Sequence, residues 1–266
     1  MNNLAEVYLW GTCIGDLYLR NDSPYAQFEY RRDFVEQAED TGIQVAPLMM
    51  PVSNRVYSFR DLADSFHGVP GMIADSLPDK FGNAVINHWL ATQGKSEADF
   101  NVIDRLCYTG TRGMGALEYK PALGPDASEN EIVNVSEMVR FASDVLNRRN
   151  EMSINFNDAT YSQLVKLGTS AGGARAKAII AWNETTNEVK SGQINPEPGF
   201  DYWLMKFDGV SKNGDHNLED EPEYTLIEYS YYLMAKRAGI DMNECRLFTE
   251  GGRSHFMTKR FDRREG

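Results

Sequence analysis

Three groups of residues, far apart in the chain, have types and spacings suited to a phosphate-bearing ligand. The first is GTSAGGARAK, Gly168 to Lys177, which packs three glycines, two hydroxyls and two basic residues into one turn. Glycines ahead of a regular element let backbone N–H groups approach an anion closely. The second is Lys206, near the end of the strand-like DYWLMKFDG, where an ammonium could bridge phosphates. The third is Glu228, in the middle turns of EYTLIEYSYYLMAKRAG, from where it could pair with Lys206. Two familiar phosphate cradles do not fit. A Walker loop requires Lys directly after its last glycine and opens a helix, whereas Lys177 lies four places after Gly173 and is followed by Ala178. A Rossmann fingerprint also opens a helix, but AIIAW is β-branched and aromatic, and the turn-like NETTNE and then VKSGQI follow it.

A glycine loop feeding a β-hairpin is the protein-kinase device, which requires a strand carrying lysine, a helix carrying glutamate and two more strands. The chain supplies them in that order. Acids at Glu219, Asp220, Glu221 and Glu223 around Pro222 suit a helix N-terminus. The helix that follows offers Leu226, Ile227, Met234 and Ala238 for burial and stops at Gly239, and ECRLFTE, Gly251-Gly252 and SHFMTKRFD form a last hairpin.

The elements upstream read as a different kind of unit. AEVYLWGTCIGDLYLR, with a Gly-Asp turn, and YAQFEYRRDFV predict antiparallel hairpins. Phe81, Val85, Ile86, Trp89 and Leu90 share one helix face ending at Gly94, with Asp75 or Ser76 as the cap, so ADSLPD reads as a helix-start loop. A short helix over 99–107 precedes the glycine bend of YTGTRGMGALEYKP. The Pro- and acid-rich PALGPDASENEIVN is a connector, followed by helices near 136–149 and 158–167. The fold class is therefore α+β: a small β-rich subdomain over 1–124, a connector with helices over 125–167, and a kinase-like N-lobe with a glycine loop over 168–266.

Composition bounds the partners. With 266 residues, 42% hydrophobic and 25% charged, the chain has a globular composition, and no apolar run approaches the roughly 20 residues of a membrane span. A cytosolic location is expected. A net charge of -12 argues against broad adhesion to nucleic acid or anionic lipid. Cys13, Cys107 and Cys245 are isolated core thiols, and His67, His88, His216 and His255 lack metal-ligand spacing, so no metal site is expected within the chain.

These segments carry a family resemblance. GMIADSLPDKFGN and GTRGMGALEYKP are similar to signatures of the N-terminal subdomain of HipA-family serine/threonine kinases, the toxins of HipA/HipB toxin–antitoxin modules. SAGGARAKA, WLMKF, IEYSYYLMAKRAG and HFMTKRFDRR resemble the family's nucleotide-binding half. The resemblance implies that Ser170, Ala171, Gly172, Gly173 and Ala174 line the ATP phosphates, that Lys206 contacts them and that Glu228 is its ionic partner. It implies a hinge over Lys259 to Asp262, with Phe261 near the adenine, and an inhibitory autophosphorylation at Ser170, with Thr169 as the neighbouring alternative. It also implies ATP and magnesium as cofactors, a HipB-like DNA-binding antitoxin that alone contacts DNA, and a protein substrate such as an aminoacyl-tRNA synthetase.

A kinase also needs a catalytic aspartate, a nearby asparagine and a magnesium-binding aspartate after the hinge. GDHN, Gly214 to Asn217, has the wrong spacing and lies before the helix, so it reads as a loop. The chain is accordingly expected to be a portion of such a kinase without its C-lobe, to perform no phosphotransfer alone and to bind nucleotide weakly. The rival readings are a noncatalytic partner-binding or regulatory subunit of a split HipA-type system, and a small-molecule phosphotransferase sharing the lobe order.

Overall fold

The computed structural model describes residues 1–124, 132–147, 175–193, 197–210 and 223–263. It is an α+β structure with two five-stranded antiparallel sheets. The chain divides into two compact units, Met1–Pro78 with Gly94–Gly124, and Asp79–Gln93 with Pro125–Gly266.

In the first unit, β1 (Leu4–Leu9), β2 (Thr12–Leu19), β3 (Ala26–Tyr30), β4 (Val56–Ser58) and β5 (Leu117–Lys120) form a sheet in the order β4-β3-β2-β1-β5. The first hairpin turns at Trp10-Gly11, both at positive φ, as the twist of a two-residue turn demands. The expected Gly-Asp turn is thus not a turn: Gly15 and Asp16 pair within β2. The register slips by one between Val7 and Tyr8, leaving Ile14 as a bulge whose carbonyl accepts from Arg31 N at 3.0 Å. The segment expected to return as a strand after Tyr30 is instead α1 (Arg32–Thr41), in which Phe34, Val35 and Ala38 are buried at helical spacing, ending at Gly42 with φ 70°. After α2 (Gly71–Ala74), the core is closed by α4 (Val102–Thr109), which buries Ile103, Leu106 and Cys107 with the sheet and starts at an Asn101/Asp104 capping box. Cys107 is buried, which pushes its thiol up to about 12, and Cys245 is also buried, but Cys13 is only half-buried.

The second unit is built on β6 (Lys177–Asn183), β7 (Glu188–Ser191), β8 (Asp201–Lys206), β9 (Cys245–Glu250) and β10 (Arg253–Lys259), in the order β7-β6-β8-β10-β9. α3 (Lys80–Thr92) packs against α5 (Val135–Asn147), with His88 edge-on to Phe141. The cap of α3 is Asp79, not Asp75 or Ser76: Asp79 Oδ1 accepts from Gly82 N at 2.7 Å, the distance at which a side-chain oxygen can replace a missing helical partner. The predicted helix over 158–167 lies outside the described residues.

α6 (Tyr224–Arg237) packs on β9 and β10. Its burial differs from expectation, since Ile227 and Met234 are 49% and 54% exposed and Ala238 is also exposed. The less exposed positions are Thr225, Leu226, Glu228, Tyr229, Tyr232 and Ala235, so of the expected apolar positions only Leu226 is partly covered, and the face turned to the sheet contains polar groups. The helix ends in a Schellman motif, with Ile240 N bonded to Ala235 O, Gly239 N to Lys236 O, and Gly239 at φ 79°. Its start is pinned from the sheet. Thr225 Oγ1 donates to Ser254 O at 2.6 Å, Glu223 N donates to Asp208 Oδ1, and Asp208 N donates to His255 Nδ1 at 3.0 Å.

That last bond needs a neutral imidazole, and burial holds the His255 pKa below its usual value, opposed by Asp208 and Glu250 and reinforced by Arg253. Below about pH 6.5 the unfolded chain therefore binds a proton that the folded chain refuses, so stability falls as pH drops through this window. We expect His255→Gln to flatten this slope in denaturant unfolding measured from neutral pH downwards, leaving the part that belongs to His88, also depressed by burial. An unchanged slope would remove His255 from this role.

Candidate nucleotide site

The site is assembled where the ends of β6 and β8 meet α6. β6 enters as an apolar strand whose first six residues are all buried, and its first residue is Lys177. In register, Lys177 lies directly opposite Lys206, the last residue of β8, and Phe256 lies opposite Lys206 from β10. Residues of one β-row share a face, so the two ammonium groups and the Phe256 ring are neighbours, and Lys206 Nζ is 5.8 Å from the ring centre.

Each lysine meets a carboxylate. Lys206 Nζ donates to Glu228 Oε2 at 2.7 Å, with 32% and 28% of the two side chains exposed. Lys177 Nζ lies 3.6 Å from Asp79 Oδ2, and both side chains are almost wholly buried. Arg175 adds a third cation, stacked over Tyr224 at 4.4 Å with its guanidinium 3.9 Å from Glu228 Oε1. Burial depresses the Lys177 ammonium, and the Lys206 charge depresses it further while Asp79 and Glu228 support it. Phe207 N donates to Ala176 O at 3.3 Å, so the chain leaving the glycine segment is tied to the chain leaving Lys206. Three cations against two carboxylates at the open end of a sheet make a site suited to an anion with several oxygens.

The other expected site residues are distributed as follows. Ser170, Ala171, Gly172, Gly173 and Ala174, and the GDHN segment, lie outside the described residues. Lys259 is three register steps from the Lys206 pairing, opposite Trp203, and its Nζ donates to Asp201 Oδ2 at 2.7 Å. Phe261 is 81% exposed just beyond β10. Asp262 takes a two-point pair from Arg260, at 2.9 and 2.6 Å, and this holds its carboxyl below the usual range. Arg260 N donates to Tyr202 O, which fixes the chain as it leaves the sheet. Sequence reasoning gave Asp79, Arg175 and Lys177 no site role of their own: Arg175 and Lys177 entered as the two basic residues of the glycine turn, and Asp79 as part of a helix-start loop. The available signal was a lysine entering an otherwise apolar strand, since a buried ammonium needs a counter-charge. Among the described residues no group of three or more His, Cys, Asp or Glu side chains could hold a metal ion, and no helix is long and apolar enough to cross a membrane.

Two family models match the chain. Residues 5–120 match the HipA N-terminal domain and residues 169–266 match the HipA-like C-terminal domain. No curated protein matches the chain. Among solved structures, a chain from the complex of HipA, HipB and operator DNA of a Shewanella oneidensis MR-1 toxin–antitoxin system is similar in fold, with a TM-score of 0.54 and 17% identity. The match covers 98% of the present chain and 51% of the other, so this chain spans about half the length of that relative.

Proposed function

The chain belongs to the HipA family, and from that premise we propose that its second unit is the ATP-binding lobe of a serine/threonine protein kinase acting as the toxin of a toxin–antitoxin pair. The observation that carries this reading is the 2.7 Å pair between Lys206 and Glu228, joining the third strand of the sheet to its helix. The sequence of elements supports it: two strands, a strand ending in lysine, a helix carrying glutamate, then two strands, as in a kinase N-lobe.

In this reading Lys206 holds the ATP phosphates and Glu228 holds Lys206. Ser170, Ala171, Gly172, Gly173 and Ala174 supply backbone donors, and Lys259, Phe261 and Asp262 belong to the hinge beside the adenine. The residues present fit the phosphates, since an ammonium held by one carboxylate at a partly open site keeps donors for a second anion. Magnesium, when bound with the nucleotide, neutralises developing phosphate charge, and its protein ligands are assigned to residues after the hinge. A phosphate on Ser170 would bring about -1.5 to -2 charges into the loop meant for ATP and so silence the site. A HipB-like antitoxin is the proposed partner, with DNA reached only through it, and a protein such as an aminoacyl-tRNA synthetase the proposed substrate.

The Lys206–Glu228 pair gives a direct test. In the intact protein Glu228→Gln is expected to lower ATP-dependent phosphorylation by about tenfold or more, and to cost almost nothing further once Lys206→Met is present, because contacting residues acting as one unit are not additive. Independent losses in a double-mutant cycle of initial rates would show that the pair does not act together.

A further inference from the structure

The proposed roles leave the Asp79–Lys177 pair without a task, although burying two charges is costly unless they hold each other. Asp79 is fixed at the start of α3 by Oδ1, which accepts from Gly82 N. Its Oδ2 is buried with no hydrogen-bond donor among the described residues, and the ammonium of Lys177 is 3.6 Å away. Lys177 is in turn the strand neighbour of Lys206. Like charges facing each other across two strands repel, so each lysine needs its own carboxylate for the row to stand. Glu228 serves Lys206 and Asp79 serves Lys177.

We infer that Asp79 is a positioning residue for the nucleotide site: its carboxylate holds the Lys177 ammonium, and with it the strand end that follows the glycine loop, beside Lys206. This rests on the nucleotide reading of that site and adds α3, an element outside the sheet, to the parts that set its geometry. Removing the carboxylate leaves Lys177 buried beside Lys206 and takes away the stronger of the two charges, Asp79 and Glu228, that support its ammonium. Lys177 then loses its proton more readily, and the exit of the loop loses its anchor.

Asp79→Asn separates this role from helix capping, because asparagine caps as well as aspartate and keeps an oxygen for Gly82 N. The intact protein is expected to stay folded but to melt lower, because one charge of a buried pair loses its partner. Lys177, followed by NMR on 13C-methylated lysines, should titrate below its parent value. MgATP affinity should weaken roughly tenfold, within the range of coupling between contacting residues, with KM changing more than kcat. The deficit should widen as pH rises and Lys177 deprotonates, and Asp79→Asn should add nothing to Lys177→Met. A purely structural role would lower the melting temperature too, but would leave MgATP affinity of the folded protein at the parent value at every pH. If Asp79→Asn binds MgATP like the parent while Lys206→Met does not, the inference is overturned and the nucleotide reading stands. An unchanged Lys177 titration overturns it as well. If Lys206→Met too binds like the parent, the nucleotide reading fails and takes the inference with it.

Discussion

Lys206→Met in the intact protein is expected to lower ATP-dependent phosphorylation by a factor of about 100 to 1000, the usual cost of removing one preorganised charge from a phosphoryl-transfer site. The fold should survive. Both side chains of the Lys206–Glu228 pair are about one-third exposed, and pairs so placed contribute roughly 0 to 1 kcal/mol to stability. Methionine keeps an unbranched apolar stem at the position paired with Phe256 and removes only the ammonium. Transfer of labelled phosphate from ATP, measured beside the denaturant midpoint, separates the two effects. Retained phosphorylation would exclude Lys206 from contact with the phosphates, whereas a collapsed midpoint would make the pair a structural element.

The second large effect concerns the first unit. A Cβ built on Gly15 would sit 2.5 Å from the carbonyl oxygen of Glu29 and 2.5 Å from Cζ of Phe28. Neither can retreat: Glu29 O is strand backbone, and Phe28 is fully buried in the core. Gly15→Ala is therefore expected to destabilise the protein by about 3 kcal/mol, at the upper end of overpacking costs. Gly115→Ala is the matched control, since Gly115 is exposed and a Cβ there meets nothing within 4 Å. It should stay within about 0.5 kcal/mol of the parent. Equal urea midpoints for both variants would contradict the packing described for β2 and β3.

Gly15 also shows where sequence reasoning stops. A Gly-Asp pair between apolar runs is a fair turn signal, but Trp10-Gly11 reaches the left-handed region first, and the Gly15 position is set by the Phe28 ring from the neighbouring strand. Such long-range packing leaves no local pattern. The same holds for the surface of α6, where apolar Ile227 and Met234 face outwards because the lysine partner Glu228 must face the sheet. Elements with strong periodicity were legible: the apolar face of α3, the strand after the glycine segment, the lysine strand and the last hairpin, whose Gly251-Gly252 turn has both φ angles positive. Lys206 and Glu228 were legible because a motif order demanded them. Asp79 was not, because its partner Lys177 lies 98 positions away (177 minus 79) and only the fold brings α3 to the start of β6.

The central claim, that this end of the sheet receives the phosphates of ATP, is tested most directly by calorimetric titration of MgATP into the intact protein and its Lys206→Met variant. Saturable one-to-one binding with a Kd below about 1 mM in the parent, weakened at least about tenfold in the variant, is the predicted result. Equal binding by both proteins, or binding by neither, would contradict it.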